Sequence, residues 1–254
     1  MDYPKLLQAI LDIAEEMLVC GAEVERVEDS IERMCTAYGC DRINAFIITS
    51  NIQVTLEDPD GKIITQIRRI VGNSTNFDKL DYLNDLSRYI CVNTPDLPEI
   101  IEKYDQVMNR KELPKWISYI GASMGSGGFA VFFGGNLADG IYAALLGVLI
   151  MAAKGFLSKY EKNNLTLIFM CSLIGGFATT VSGPLGIAIH VDKVMIGGIM
   201  LLIPGIAMTN SIRDLLAGDL GTGLLRLADS LLVAAAIAFG FALPLILAGG
   251  VTIW

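Results

Sequence analysis

Charged side chains are distributed very unevenly along this chain of 254 residues, and that distribution limits the fold more than any other feature. Residues 1–115 carry 21 acidic and 13 basic side chains, whereas residues 116–254 carry six of each sign. Charges are costly in lipid, so the first part is too polar to be inserted in a bilayer. The second part is too apolar for an ordinary water-soluble domain. We therefore expect a soluble domain over 1–115 and a membrane domain over 116–254.

Five long apolar stretches make up the second part. A helix needs about 20 predominantly apolar residues to cross the hydrocarbon core of a bilayer. The stretches are 116–135, 136–157, 163–191 (with a turn near Pro184), 194–212 and 230–254. The sequence therefore predicts an α-helical integral membrane protein with five transmembrane helices, preceded by the soluble domain.

Basic side chains mark one side of the predicted membrane domain. They precede the first span and follow the second and fourth, at Arg110, Lys111, Lys115, Lys159, Lys162, Arg213 and Arg226. The loops near 134–138 and 182–188 contain none, and only Lys193 lies on the opposite side. Cytoplasmic loops carry an excess of Lys and Arg. We therefore expect a multi-pass protein of the inner (plasma) membrane, with residues 1–115 cytoplasmic and the C-terminus outside.

The soluble part alternates between helical and strand periodicity. Apolar residues recur at helical spacing over 2–19, 23–38, 76–92 and 95–110. The β-branched residues of 44–56 and 62–69 predict extended structure. Between these two runs, Asp58-Pro59-Asp60-Gly61 predicts a hairpin turn. The pattern indicates a small α+β domain.

Composition and motifs exclude several classes of function. The net charge of −8 argues against nucleic acid, which is bound by clustered Lys and Arg. Five cysteines without a CxxC pair, and one histidine, predict no metal site. No Gly-rich phosphate loop is present, which argues against direct use of ATP. Ser182 and His190 are too close in sequence to lie on two facing helices as a serine protease pair. We expect neither an enzyme nor a cofactor.

The fourth apolar stretch is interrupted by Pro204 and Gly205. Proline removes a backbone donor and frees the carbonyl of Met200, four residues earlier. Such breaks persist in lipid only where protein or water satisfies the freed groups. They are frequent in transporters but also occur in kinked structural helices. Small residues at Gly121, Gly125, Gly128, Gly175, Gly176, Gly197 and Gly198 predict close approach of neighbouring helices.

Polar residues after this break form one candidate substrate site, with Pro204 and Gly205 at its edge. The segment contains Thr209, Asn210, Arg213, Asp214 and Asp219. Arg213 can grip a carboxylate through two parallel hydrogen bonds, and Asp214 can hold an ammonium group or a proton. Alternatively, Arg213 and Asp214 pair within the bundle and have only a structural role.

A second candidate lies at the outer end of the first two spans, where Asn136 and Asp139 follow two glycines. Asp139 either caps the helix or exchanges a proton as a gate or coupling residue. His190, Asp192 and Lys193 form another short polar cluster. Asp192 and Lys193 are typical of a solvated loop, whereas a lone histidine such as His190 is more often a satisfied structural residue than a titrating one.

Two stretches of the chain resemble a known family. Residues 21–34, from Gly21-Ala-Glu-Val-Glu-Arg to Met34, with the hairpin that follows them, resemble the N-terminal domain of the threonine/serine exporter family. Pro204-Gly205 leading into Thr-Asn-Ser-Ile-Arg-Asp-Leu-Leu-Ala-Gly-Asp at 209–219 is similar to that family's best-marked membrane segment. Gly134 and Gly135 with Asp139 also fit. The resemblance extends over nearly the whole chain.

The resemblance implies export of small polar metabolites across a membrane. Single-chain members have about ten spans in two halves, and this chain is similar to the larger subunit of the split type. That type works with a small membrane partner subunit and includes succinate exporters, so the resemblance implies an amino acid or a dicarboxylate as substrate and an ion gradient as driving force. A homo-oligomer is the other possible assembly. A membrane-anchored metabolite sensor is the alternative function, although the polar segment 209–219 counts against a mere anchor.

Overall fold

The computed structural model describes residues 1–72, 74–111, 113–182 and 190–248. Ten α-helices and one three-stranded sheet in these residues form two compact units. The first unit consists of Met1–Lys111 and Ile206–Leu227, and the second consists of the described parts of Glu112–Gly205 and Ala228–Trp254. The domain boundary after residue 115 stays a prediction, because compactness alone does not locate a bilayer.

Four helices of the first unit lie close to their predicted positions. They are α1 Tyr3–Val19, α2 Val24–Ala37, α3 Phe77–Asn93 and α4 Leu97–Met108. Three of them begin at a side-chain cap, because Asp2, Asn76 and Asp96 each accept a hydrogen bond from a backbone N–H in the first turn. The chain turns from α1 into α2 through Gly21, whose φ of +100° is strained for other residues.

A small antiparallel sheet completes the N-terminal part of this unit. Its strands are β1 Asp41–Ile48, β2 Asn51–Glu57 and β3 Ile63–Arg69, in the order β1-β2-β3. The hairpin predicted at 58–61 is confirmed: Asp58 Oδ1 accepts from the N–H groups of Asp60 and Lys62. The stretch predicted as extended over 44–56 is not one strand, because the chain reverses at Thr49 and Ser50.

The core of this part lies between the helices and the sheet. Ile10, Ile13, Ile31, Ile52 and Leu83 are fully buried there. Burying one such side chain stabilises a fold by about 1.5–3 kcal/mol. The apolar stripes of the helices thus face the inner positions of β2, and one contiguous core holds these elements together.

Six helices follow, and some of them depart from the predicted spans. They are α5 Lys115–Phe132, α6 Leu137–Leu157, α7 Asn164–Ser182, α8 Val191–Leu202, α9 Gly205–Ala217 and α10 Leu220–Leu247. In the described part of the chain, α6, α7 and α10 are long and apolar enough to cross a membrane, and the bent pair α8–α9 raises the count to four. The five-span count stays a prediction. The turn predicted near Pro184 falls outside the described residues.

The predicted break at Pro204 is present in the structure. Helix α8 ends at Leu202, α9 begins at Gly205, and their axes differ by 59°. Ile203 has φ −57° and ψ 129°, which is the extended conformation that a following proline favours. The steric demand of the proline ring therefore explains why the helix stops one residue before it.

Glycines bring the helices of the second unit into close contact. A Cβ atom added at Gly197 of α8 would lie 2.4 Å from the Ser126 carbonyl oxygen, and one at Gly147 of α6 would lie 2.5 Å from that of Ala122. By contrast, nothing lies within 4 Å of such an atom at Gly125. The packed face of α5 is thus the stripe that contains Ala122 and Ser126, and the predicted contact through Gly121, Gly125 and Gly128 is wrong.

Candidate functional site

The polar segment after the break lies within the first unit, against the turn that joins α1 and α2. The Arg213 guanidinium forms an ion pair with the Glu23 carboxylate, and its side chain is 62% exposed. Asn210 Nδ2 donates to the Gly21 carbonyl oxygen at 3.4 Å. The two stretches that carry the family resemblance therefore meet in space.

A second ion pair in this segment is buried. Asp214 Oδ2 lies 3.0 Å from Arg226 NH1, and the two side chains are only 3% and 14% exposed. Removing one partner of a buried pair leaves the other charge without compensation, which costs about 3–5 kcal/mol. This pair fixes α9 against the beginning of α10. It also gives Arg226 a partner other than the neighbouring Asp229.

Acidic side chains surround the same segment. Burial and the nearby carboxylate of Asp219 raise the pKa of Glu28 above its ordinary value.

Thr222 Oγ1 donates to the Ile47 carbonyl oxygen at 3.3 Å, which attaches the first turn of α10 to the end of β1. Thr209 lies on the exposed side of α9. We name Glu23, Asn210, Arg213, Asp214, Asp219 and Arg226 the arginine cluster.

Asp139 lies in the second unit, in the first turn of α6. It forms a capping box with Asn136: the Asn136 N–H donates to Asp139 Oδ2, and the Asp139 N–H donates to Asn136 Oδ1, both at 2.9 Å. The predicted cap is therefore present. A capping residue is often exposed, whereas Asp139 is completely buried.

His190 is the partner that explains this burial. Its backbone N–H donates to Asp139 Oδ1 at 3.0 Å, and its ring Nδ1 lies 2.8 Å from Asp139 Oδ2. The His190 side chain is 48% exposed, so the pair joins a buried carboxylate to solvent. We name Asp139 and His190 the Asp–His pair. From the sequence, His190 was expected to be a satisfied structural residue, but its partner Asp139 was not identified. A carboxylate at a span end with no nearby base in sequence was the signal that it needs a distant partner.

The two polar clusters expected at the outer side are neighbours in the structure. Lys193 packs over the glycine turn before α6, since a Cβ atom at Gly135 would lie 3.2 Å from the Lys193 Cβ. Lys193 is also paired with Asp192 at 2.8 Å. The Asp–His pair thus lies beside a cation that already has its own anion.

The site residues expected from the sequence therefore fall into two groups. Thr209, Asn210, Arg213, Asp214 and Asp219 belong to the first unit, whereas Asn136 and Asp139 belong to the second. Pro204 and Gly205 form the break that precedes the arginine cluster. Among the residues that the structure describes, no group of three His, Cys, Asp or Glu side chains is placed to hold a metal ion.

Long apolar helices, a helix broken at a proline and buried ionisable groups are typical of helical membrane proteins, transporters among them. The chain belongs to the threonine/serine exporter (ThrE) family, whose model matches residues 8–248.

The relatives include two proteins about twice as long as this chain and one of similar length. A probable threonine/serine exporter of Mycobacterium tuberculosis is 26% identical over 95% of this chain, and the threonine/serine exporter of Corynebacterium glutamicum is 25% identical over 91%. The chain spans about half the length of these two proteins, 46% and 49%. A probable succinate transporter subunit, YjjP of Escherichia coli, is 23% identical over 94% of this chain and 90% of its own length. No solved structure matches the chain.

Proposed function

We propose that this chain is the larger subunit of a two-component exporter for small polar carboxylates. The substrate is an amino acid like threonine or serine, or a dicarboxylate such as succinate. The names of the relatives support this class, because all of these substrates carry a carboxylate. The near-complete match in length to the succinate transporter subunit supports the split type.

The Arg213–Glu23 ion pair carries the proposal. An exposed ion pair contributes only about 0–1 kcal/mol, so the Glu23 carboxylate can be exchanged for another at little cost. We propose that the substrate carboxylate replaces Glu23 on the Arg213 guanidinium, which offers two parallel donors. Asn210 and Thr209 lie on the preceding turn of α9 and would contact the polar remainder of the substrate.

The Asp–His pair is the proposed site of ion coupling. A carboxylate and an imidazole whose Oδ2 and Nδ1 atoms lie 2.8 Å apart can pass a proton between them. The exposed His190 ring gives that proton a path to solvent, while Asp139 holds the pair in place. In this mechanism a proton gradient drives export, and no nucleotide is hydrolysed.

The partner is a small membrane subunit that supplies the second half of the path. We propose five spans for this chain, with residues 1–115 cytoplasmic and the C-terminus outside, in the inner (plasma) membrane. A five-span partner half would then have the inverted orientation that is common in secondary transporters. A homo-oligomer is the alternative assembly.

Reconstitution tests this proposal directly. Proteoliposomes that contain the chain with the partner are loaded with labelled succinate, threonine or serine, and efflux is followed under an imposed pH gradient. We expect efflux of one of these substrates only when both subunits are present. Transport by the purified chain as a monomer would contradict the two-component proposal, and no efflux from the complete complex would contradict the exporter function. Labelling of an engineered cysteine near position 252 from outside intact cells tests the topology.

A further inference from the structure

A cleft of about 360 Å³ lies between α2 and α3, within the first unit. Its lining includes Arg26, Arg33 and Arg88, together with one carboxylate, that of Asp29. Residues 1–115 carry a net charge of −8, so this is a positive site on an acidic domain. The lining alone sums to +2 in charge.

Ordinary surface ion pairs account for only part of this cluster. Arg33 Nε donates to Asp29 at 2.7 Å, four residues earlier on α2, and Arg88 lies 3.7 Å from Asp85 on α3. Both arrangements are common on exposed helices. In the described part of the chain, the Arg26 guanidinium has no carboxylate within 4.0 Å. Ion pairing within the helices therefore does not explain the position of the Arg26 side chain.

Two buried polar side chains of α3, Asn84 and Ser87, form part of the inner wall of the cleft. Their donor groups bond within α3: Asn84 Nδ2 donates to the Leu80 carbonyl oxygen and Ser87 Oγ to that of Asn84, each at 2.8 Å. The wall is thus satisfied and stable without a ligand, and the arginines are the groups left to hold one.

We propose that this cleft binds a small organic anion with two acidic groups. Three guanidinium groups can hold two carboxylates or one phosphate monoester in bidentate geometry, and the lining charge of +2 matches a dianion. The volume is at the lower end of that of small-molecule sites. Because the arginines are exposed, binding is weak and rapidly reversible, as in a sensor of metabolite concentration.

The position of the cleft on α2 suggests a role in regulation. Arg26 lies in the first turn of α2, three residues after Glu23 at the helix N-cap. An anion held between Arg26 and α3 would restrain the turn that presents Glu23 to Arg213. Binding at the cleft does not depend on the proposed transport function, and the two are tested by different variants.

Calorimetric titration of the full-length protein in detergent tests the proposal, with succinate, inorganic phosphate and butyrate as probes. We expect succinate or phosphate to bind at least about tenfold more tightly than the monoanion butyrate, since each lost pair of charge-assisted bonds costs about 1.4 kcal/mol or more. The dianion that binds more tightly shows whether the natural ligand is a carboxylate or a phosphate.

Three variants locate the binding site. Arg26→Gln should weaken binding of the dianion about tenfold or more. Arg69→Gln, a matched loss of charge on β3, should leave the titration unchanged. Arg213→Lys, in the proposed transport site, should weaken only the binding of a transported carboxylate and should retain the dianion binding that Arg26→Gln weakens. If binding is lost in Arg213→Lys but retained in Arg26→Gln, the proposed anion site in the cleft is wrong. The same result would support the proposed transport site. Absence of any binding up to about 10 mM would overturn the cleft as well.

Discussion

The arginine cluster and the Asp–His pair both join distant parts of the chain, but they do so in opposite physical settings. Arg213 is largely exposed and is paired with Glu23, a residue 190 positions earlier. Asp139 is completely buried and accepts hydrogen bonds from both Asn136 and His190. An exposed ion can exchange its partner at small cost, whereas a buried, multiply bonded ion can change only its protonation. This difference is why we propose substrate contact for Arg213 and ion coupling for Asp139.

The largest effect on stability is expected inside the arginine cluster, at its buried member. Asp214→Ala leaves Arg226 as a buried charge without its carboxylate and should lower the free energy of unfolding by about 3–5 kcal/mol. Thermal unfolding in detergent measures this change. Asp192→Ala is the control, because the Asp192–Lys193 pair is more exposed. Equal, small losses in both variants would show that the Asp214–Arg226 pair is not buried.

The next effect separates capping from coupling at Asp139. Asp139→Asn keeps the shape and the ability to cap α6, so the protein should fold with a loss of about 1–3 kcal/mol from weaker hydrogen bonds. Export that is driven by a pH gradient should be lost, because an amide does not titrate in this range. Efflux from proteoliposomes with and without the gradient is the measurement. Normal pH-dependent export by this variant would exclude the coupling role.

A matched pair of glycine substitutions tests the packing that surrounds the Asp–His pair. Gly197→Ala places a methyl group against the Ser126 carbonyl oxygen and should destabilise the second unit by about 1–3 kcal/mol. Gly125→Ala adds the same methyl group where nothing lies within 4 Å and should be nearly neutral. The melting temperatures of the two variants in detergent decide this. If both melt like the wild type, the α5–α8 contact is incorrect.

A smaller, pH-dependent effect is expected at Glu28, beside Asp219. Its raised pKa means that the folded state holds the proton more tightly than the unfolded state, so its contribution to stability falls as pH rises from the unfolded pKa through the raised folded pKa. Glu28→Gln should therefore stabilise the protein at neutral pH and lose this advantage below about pH 4. Unfolding midpoints across this pH range measure the effect, and a destabilised variant at neutral pH would contradict it.

The fold of residues 1–115 was largely predictable from the sequence. The helical stripes and the Asp58-Pro59-Asp60-Gly61 turn are local signals, and they located α1 to α4 and the β2–β3 hairpin. The turn at Thr49 and Ser50 was missed, although Thr49-Ser50-Asn51 is a short cluster of the residue types that mark a reversal. In the apolar part, the break at Pro204 followed from proline sterics, but uniform hydrophobicity concealed which face of α5 packs.

Most residues of the candidate sites could be identified from the sequence, but their contacts with one another could not. The polar order of 209–219 singled out Arg213, yet nothing local connects it to Glu23, which is one of several acidic residues on an apparently solvated face. Likewise, Asp139 was identified without His190, because their contact depends on how α6 and α8 pack. Contacts between residues far apart in sequence follow from tertiary packing, which periodicity does not encode.

The most direct test of the account is the initial rate of substrate efflux by Arg213→Lys in reconstituted complexes. Lysine keeps the charge but loses the two parallel donors, so efflux should fall about tenfold or more at equal protein level. Arg42→Lys, at an exposed arginine paired with Glu57, is the matched control and should export normally. In the same assay, Glu23→Gln should lower the substrate concentration for half-maximal rate. Wild-type efflux by Arg213→Lys would show that Arg213 does not hold the substrate carboxylate.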